Sequence, residues 1–367
     1  MQLEQISVEN WRNLEPVELS LSSSLTVFFG ENAAGKTNLL ESVGLLATLK
    51  SFRDARWKQL PNWEASSARV VGVVTGETGR RKLECTVTPE GRKLRLDGSN
   101  CTDNTRWFEC LRAVVFTPSD PEIVRGSPDQ RRRFLDRAAF NAWPTHLHSV
   151  RSFKQVLSQR SALLRTGRAD ATQLSIWDEQ LLHWGIEVDE GRRRLLSALI
   201  EPLATIHEQL AGKGLASAHY RSRLQGDDKA QRLQSYARLL TDIRSDELQQ
   251  QRNLVGPQRD DLVLTIDGRP ARTVASQGQV RTLALSLKLA ELAVAKSSGE
   301  PPLMLVDDLS SELDQDRVGR LVNTLRALEA QVLVTTTDPS PILRHGKEDA
   351  SAYFVSGGKV DPNPRHG

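Results

Sequence analysis

Three short apolar runs interrupt a chain that is otherwise polar and periodic. Residues 24–29 (SLTVFF), 303–306 (LMLV) and 331–337 (QVLVTTT) show too little alternation for a half-wetted strand. They read as strands buried on both faces, the pattern of a parallel sheet. Between the last two lies DQDRVGRLVNTLRALEA (314–330), whose helical spacing predicts a strand–helix–strand unit. Residues 68–98 (ARVVGVVTGETGRRKLECTVTPEGRKLRLDG) instead alternate and break at glycines, which predicts an antiparallel meander.

From about residue 116 to 255 the spacing is mostly helical. Leu174, Trp177, Leu181, Trp184, Val188 and Leu195 fall in steps that suggest a narrow apolar seam of coiled-coil type. Pro202 is expected to end or kink that helix. Weak linkers fall at 165–171, 211–217 and 225–230, and no internal repeat is visible. A further helix follows Ser276, with Leu283, Leu287 and Ala290 on its core-facing side.

The chain has 367 residues, which exceeds what one hydrophobic core usually organises, so two lobes are expected. A net charge of +3 is too mild to argue for a nucleic-acid partner by itself. No apolar run approaches the length of a membrane span, and the N-terminus lacks a secretory pattern. Cys85, Cys101 and Cys110 are scattered, which points to a reducing cytoplasm and away from a zinc site.

The first apolar run leads into Gly30-Glu31-Asn32-Ala33-Ala34-Gly35-Lys36-Thr37 and then an apolar helix. Strand, G-x-x-x-x-G-K-T, helix is the order a phosphate-binding loop requires. Glycines let backbone N–H groups face phosphate oxygens, and the helix start adds its positive end. Lys36 is expected to reach the outer phosphates of ATP, and Thr37 to ligate Mg2+. The 303–306 run delivers Asp307 and Asp308 at its C-terminal end, where open α/β sheets bind ligands. Asp307 is expected to hold the magnesium and Asp308 to polarise the attacking water, Lys36 completing the catalytic group. Thr336 or Thr337, at the tip of the 331–337 run, either senses the terminal phosphate or merely fills the strand.

A second glycine-bearing turn, Ser276-Gln277-Gly278-Gln279, opens the helix that follows. One phosphate loop already serves one site, so Ser276 and Gly278 make sense as contacts to the nucleotide of a second copy. The plainer reading is an N-cap serine. The order of loop, Ser-Gln-Gly-Gln and Val-Asp-Asp resembles the ABC-type ATPases, with Gln277 replacing the first glycine of their signature and Ser311–Asp314 resembling their D-loop. The fold expected is therefore α/β: an ABC-type P-loop ATPase head, mixed and parallel sheet with flanking helices, carrying an inserted mostly helical domain. The ATPase lobe would comprise 1–115 and 296–367, and the helical lobe with the signature 116–295.

ISVENWRNL (6–14), GENAAGKTNLLE (30–41), KSFR (50–53), VVFTPSDPEIVRGSPDQRRRFLDR (114–137), VLSQRSALL (156–164), GPQRDDL (256–262), SQGQVRTLALSLKLAE (276–291) and DDLSSELD (307–314) together resemble the RecF family of bacterial recombination mediators, in order and over nearly the whole chain. The resemblance implies a cytoplasmic protein that binds ATP and DNA, including single strands and gapped duplex. It implies an ATP-dependent homodimer, weak DNA-stimulated ATP hydrolysis and no chemistry on the DNA. It further implies work with RecR and RecO to load RecA, and a link to replication-fork recovery and the SOS response. Four positions depart from the family pattern. Gln258 stands where a histidine is usual, Thr117-Pro118 leaves no assignable Q-loop glutamine, and the switch strand carries threonine. Ala33 or Ala34 replaces a loop glycine, a change expected to do no harm.

Candidate DNA contacts are Arg80, Arg81, Lys82, Arg92, Lys93 and Arg95 on the meander, Arg131–Arg133, Arg192–Arg194, and Arg53, Arg56 and Lys58 near the loop; for Arg131–Arg133 the alternative is a structural role, pairing with acids such as Asp129 and Asp136. No base-reading helix or stacking array is visible, so binding is expected to be non-specific and salt-sensitive. A transporter subunit is disfavoured by the late signature, an OLD-type nuclease by the short segment after Asp314, and a vestigial scaffold by the intact loop. Another SMC- or Rad50-like, or an OLD-family, ATPase acting on DNA ends is the remaining alternative.

Overall fold

The computed structural model describes residues 1–167, 170–309, 315–346 and 350–362. The chain divides into two compact units. The first gathers Met1–Asp120, Thr205–Lys213 and the described part of Arg281–Gly367, and the second gathers Pro121–Ala204 and Gly214–Val280. The lobe expected at 116–295 is longer at its end than this second unit. The helix Gln277–Ser297 is shared, and from Arg281 onward it belongs to the first.

In the first unit the apolar runs form one sheet, in the order Lys359–Pro362, Ala350–Ser356, Leu25–Phe29, Val332–Thr336, Leu303–Val306, Ala113–Phe116. The last five strands are parallel, and Lys359–Pro362 pairs antiparallel at the edge. Burial on both faces explains why Leu25–Phe29, Leu303–Val306 and Val332–Thr336 read as unbroken apolar runs. Residues 68–98 form the expected antiparallel hairpins in a second sheet with Gln2–Glu9 and Val17–Ser20.

The helix Lys36–Thr48 contacts strands of both sheets and is buried nearly all round, which its run of Leu39, Leu40, Val43, Leu45 and Leu46 demands. Gly44 permits the close packing: a Cβ there would lie 2.8 Å from the Phe52 ring. Trp107 Nε1 donates to the Leu46 carbonyl at 2.7 Å, satisfying one group the helix end leaves open. Gln331 ties the start of Val332–Thr336 to the first strand and to the segment before Leu25, accepting from Leu3 N and donating to Leu3 O and Ser22 O.

The second unit is helical with a three-stranded antiparallel sheet, Arg269–Pro270, Asp261–Ile266 and Ala216–Arg221. The strand at 216–221 falls where the sequence suggested linker and helix. Of the seam residues, Leu174, Leu181, Val188 and Leu195 are buried, and Trp177 and Trp184 pack partly buried against the cluster of Val150, Phe153 and Tyr236. The seam is thus the core of a globular lobe. Pro202 does not end the helix, which runs from Ala171 to Ala211.

Candidate functional site

The strand Leu25–Phe29 ends at Gly30, whose φ of 154° and tight surroundings both require glycine. A Cβ there would sit 2.1 Å from the Val355 carbonyl oxygen. The loop turns through Ala33 at φ 64°, a left-handed conformation that costs an L-residue about 1 kcal/mol. The alanine replacement is therefore not free of cost. Ala34 O accepts from Gly358 N at 3.0 Å, Gly35 takes φ 118°, and the helix starts at Lys36. No side chain caps that start, so its positive end and its first N–H groups face the loop.

Lys36 Nζ donates to the carbonyls of Gly30 and Glu31, both at 2.8 Å. Its burial lowers its pKa, and the nearby Asp308 and Asp307 work against that shift. Glu31, Asn32 and Ala33 are exposed at the loop crest.

Thr37 Oγ1 donates to Asp307 Oδ1 at 2.8 Å, joining loop to strand end across 270 positions of sequence. Asp307 is 6% exposed. Burial raises its pKa, hydrogen bonds from Thr335 and Thr37 pull it down, Asp308 adds to the rise and Arg53 opposes it. A hydroxyl and a desolvated carboxylate, both oxygen donors, suit a hard divalent cation such as Mg2+. Asp308 follows at φ 52°, a strained turn of the kind found at functional sites.

The sequence reading did not single out Thr335. It is fully buried; its hydroxyl donates to Asp307 Oδ1 at 2.7 Å and accepts from Asp308 N at 2.8 Å. It therefore supports both acids at once. Thr336 turns elsewhere, donating to Asp338 O at 3.0 Å. The reason is register: Val306 pairs with Val334, so the next position on each strand sets Asp307 beside Thr335. Only strand pairing could have revealed this.

These groups line one cleft of about 940 Å³ that also takes in Arg12, Asn13, Arg53, Pro118 and Trp63. Asn38 links two of them, donating to Asn13 and accepting from Arg53 Nη1 at 2.9 Å. At Thr117, where no glutamine stands, the hydroxyl and N–H both donate to Asp120, whose other oxygen lies 3.2 Å from Lys288 Nζ.

Within the second unit, Ser276 is the N-cap of its own helix. Its N–H donates to Gln279 Oε1 at 2.8 Å and its hydroxyl accepts from Gln279 N at 3.3 Å. The plainer reading of this residue is present, and the tip formed by Ser276 and Gln277 is also exposed. Gly278 lies half-buried in the first turn. Ser311–Asp314, the D-loop-like piece, lies outside the described residues.

Several of the candidate DNA-contact arginines pair within the protein. Arg131 is buried against Asp261, and Arg192 against Asp136. Arg132 donates to the Asp260 carbonyl, Arg133 pairs with Asp129, Arg193 with Asp189, and Arg194 stacks over Trp143. On the meander, Arg80, Arg81 and Arg95 pair with Glu4, Asp97 and Glu84. Gln258 donates to Val255 O, and its Oε1 is buried without a hydrogen-bond partner among the described residues.

Comparison with known proteins agrees with this geometry. The RecF/RecN/SMC N terminal domain matches residues 2–358. The DNA replication and repair protein RecF of Geotalea uraniireducens is 35% identical, aligned over 98% of this chain and 100% of its own length. That of an Anaeromyxobacter species (strain Fw109-5) is 39% identical, with 99% of each chain covered. The solved structure of the recombination mediator protein RecF–ATP in the RecFOR pathway superposes with a TM-score of 0.88 at 27% identity, covering 98% of this chain and 99% of that one. Sequence, sheet order and the loop–carboxylate cluster converge: the chain belongs to the RecF family.

Proposed function

We propose that this chain is an ATPase of DNA recombination and repair that uses ATP to join two copies on DNA and slow hydrolysis to release them. The observation that carries the reading is the Asp307 carboxylate held between the Thr37 hydroxyl and Thr335. It sits in a chain that aligns end to end with RecF relatives, one of them solved with ATP.

In this reading the N–H groups around Gly30–Gly35 cradle the phosphates, and the Lys36 ammonium turns from the loop carbonyls to the outer phosphate oxygens. Mg2+ held by Thr37 and Asp307 would neutralise charge on the β- and γ-phosphate oxygens. Asp308 orients the attacking water and draws off its proton, and Thr335 fixes the Asp308 backbone for that task. Threonine in place of a histidine at the switch strand suits slow turnover. The exposed Ser276–Gln277 tip, with Gly278 in the same first turn, reaches the nucleotide of the second copy: a serine lone pair is used in the cap, and the Ser276 O–H donates to the terminal phosphate. DNA binding is non-specific, favours single-strand gaps and their duplex junctions, and supports RecA loading with RecO and RecR.

Light scattering with and without ATP and a gapped duplex tests this. Wild type should double in mass with ATP. Lys36→Met should neither bind ATP nor dimerise. Ser276→Arg should bind ATP as a monomer and fail to dimerise; equal loss of ATP binding in both variants would refute the contact between copies.

A further inference from the structure

The strongest unexplained feature of the cleft is Trp63. Its side chain is 101% exposed, while large aromatic side chains normally bury most of their surface. The residue is not on a loose loop. Pro61 bridges to the fully buried Trp11, Leu60 is buried, and Asn62 N donates to Asn10 O at 2.7 Å. Asn62 then closes a turn around the indole: its side chain accepts from Glu64 N at 3.1 Å and its carbonyl from Ala65 N at 3.0 Å. The chain thus invests an anchored turn in presenting a bare indole to the cleft that also holds Lys36, Thr37 and Asp307. That cleft is far roomier than a triphosphate alone requires, and Asn13, Asn32, Gln59 and Asn62 also line it.

We propose that Trp63 is the base platform of the nucleotide site: its indole stacks on the base of the nucleoside triphosphate whose phosphates lie in the Gly30–Thr37 loop. The inference rests on the nucleotide-binding reading above and adds the residue that recognises the base. A planar π face in water gains most from another planar π face, and a purine covers an indole better than a pyrimidine does. A base from single-stranded DNA or a partner protein would also cover an indole. Both are disfavoured by its place on the wall of the phosphate-binding cleft.

The test compares binding of ATP, CTP and inorganic tripolyphosphate, each with Mg2+, to the full chain and its variants by calorimetry. Wild type should prefer ATP to CTP and to tripolyphosphate. Trp63→Ala should weaken ATP by roughly tenfold, erase most of the preference over CTP, and leave tripolyphosphate affinity unchanged. Trp63→Phe should keep most of the preference. ATP, and not tripolyphosphate, should quench tryptophan fluorescence in wild type, and this quench should vanish in Trp63→Phe. Unaltered ATP affinity in Trp63→Ala would overturn the base platform while leaving the phosphate site standing. Equal loss of ATP and tripolyphosphate in that variant would also overturn it, by showing an effect on the phosphate loop. Failure of wild type to bind either ligand would overturn both this inference and the reading beneath it.

Discussion

Replacing Thr335 by valine removes one hydroxyl at nearly constant volume and tests the site at its most buried point. The loss has two parts. Asp307 forfeits a hydrogen bond of 2.7 Å to a carboxylate, worth about 1.5–3 kcal/mol. The Asp308 N–H, now bonded to the same oxygen at 2.8 Å, is left without that acceptor at a further cost of about 1–3 kcal/mol. Burying the new methyl group returns about 1 kcal/mol. The net destabilisation is about 1.5–5 kcal/mol, or roughly 3–20 °C in the melting of a unit of this size. The loss also depends on pH. Asp307 is already shifted upward by burial, and the Thr335 hydrogen bond holds that shift down. A carboxyl whose folded pKa lies above its unfolded value costs stability as pH rises from the unfolded value through the folded one. Thr335→Val raises the folded pKa further, so its penalty relative to wild type should be larger at neutral pH than near the ordinary carboxyl range. Thermal melts of both proteins at several pH values, followed by circular dichroism, measure this. Mg2+-dependent ATP binding should weaken in parallel. A melting difference below 2 °C at neutral pH, or a penalty that grows on acidification, would refute the assigned role.

Two further outcomes follow from the packing. Gly30→Ala drives a methyl to 2.1 Å from a backbone oxygen at a φ that disfavours L-residues; it should abolish ATP binding and lower the melting temperature, by about 2 kcal/mol or more of stability. In the second unit, fully buried Arg160 bonds Asp178, Asn253 and Glu247. Arg160→Met strands buried carboxylates and should cost about 3–5 kcal/mol, while Glu247→Gln, which keeps a hydrogen-bond acceptor, should cost less in the same melts.

Much of this protein is determined by local sequence. The loop at 30–37, the strand that feeds it and the two acids at 307–308 carry their chemistry in adjacent residues, because a phosphate cradle is a backbone turn followed by a helix start. The meander at 68–98 is legible for the same reason: its pairings join neighbouring segments. What lay beyond the sequence are relations between distant segments. Thr335 rather than Thr336 meets Asp307 because of strand register, and a run of three threonines contains no record of which face its neighbour presents. Arg131 and Arg192 look like candidates for a phosphate backbone until the fold sets Asp261 and Asp136 against them; charge is visible in sequence, but its neutralisation by a remote partner is not. The indole of Trp63 is the converse case. Its hydrophobicity predicts burial, and only the tertiary structure, by anchoring Trp11 and Pro61 beneath the turn, leaves it facing the cleft.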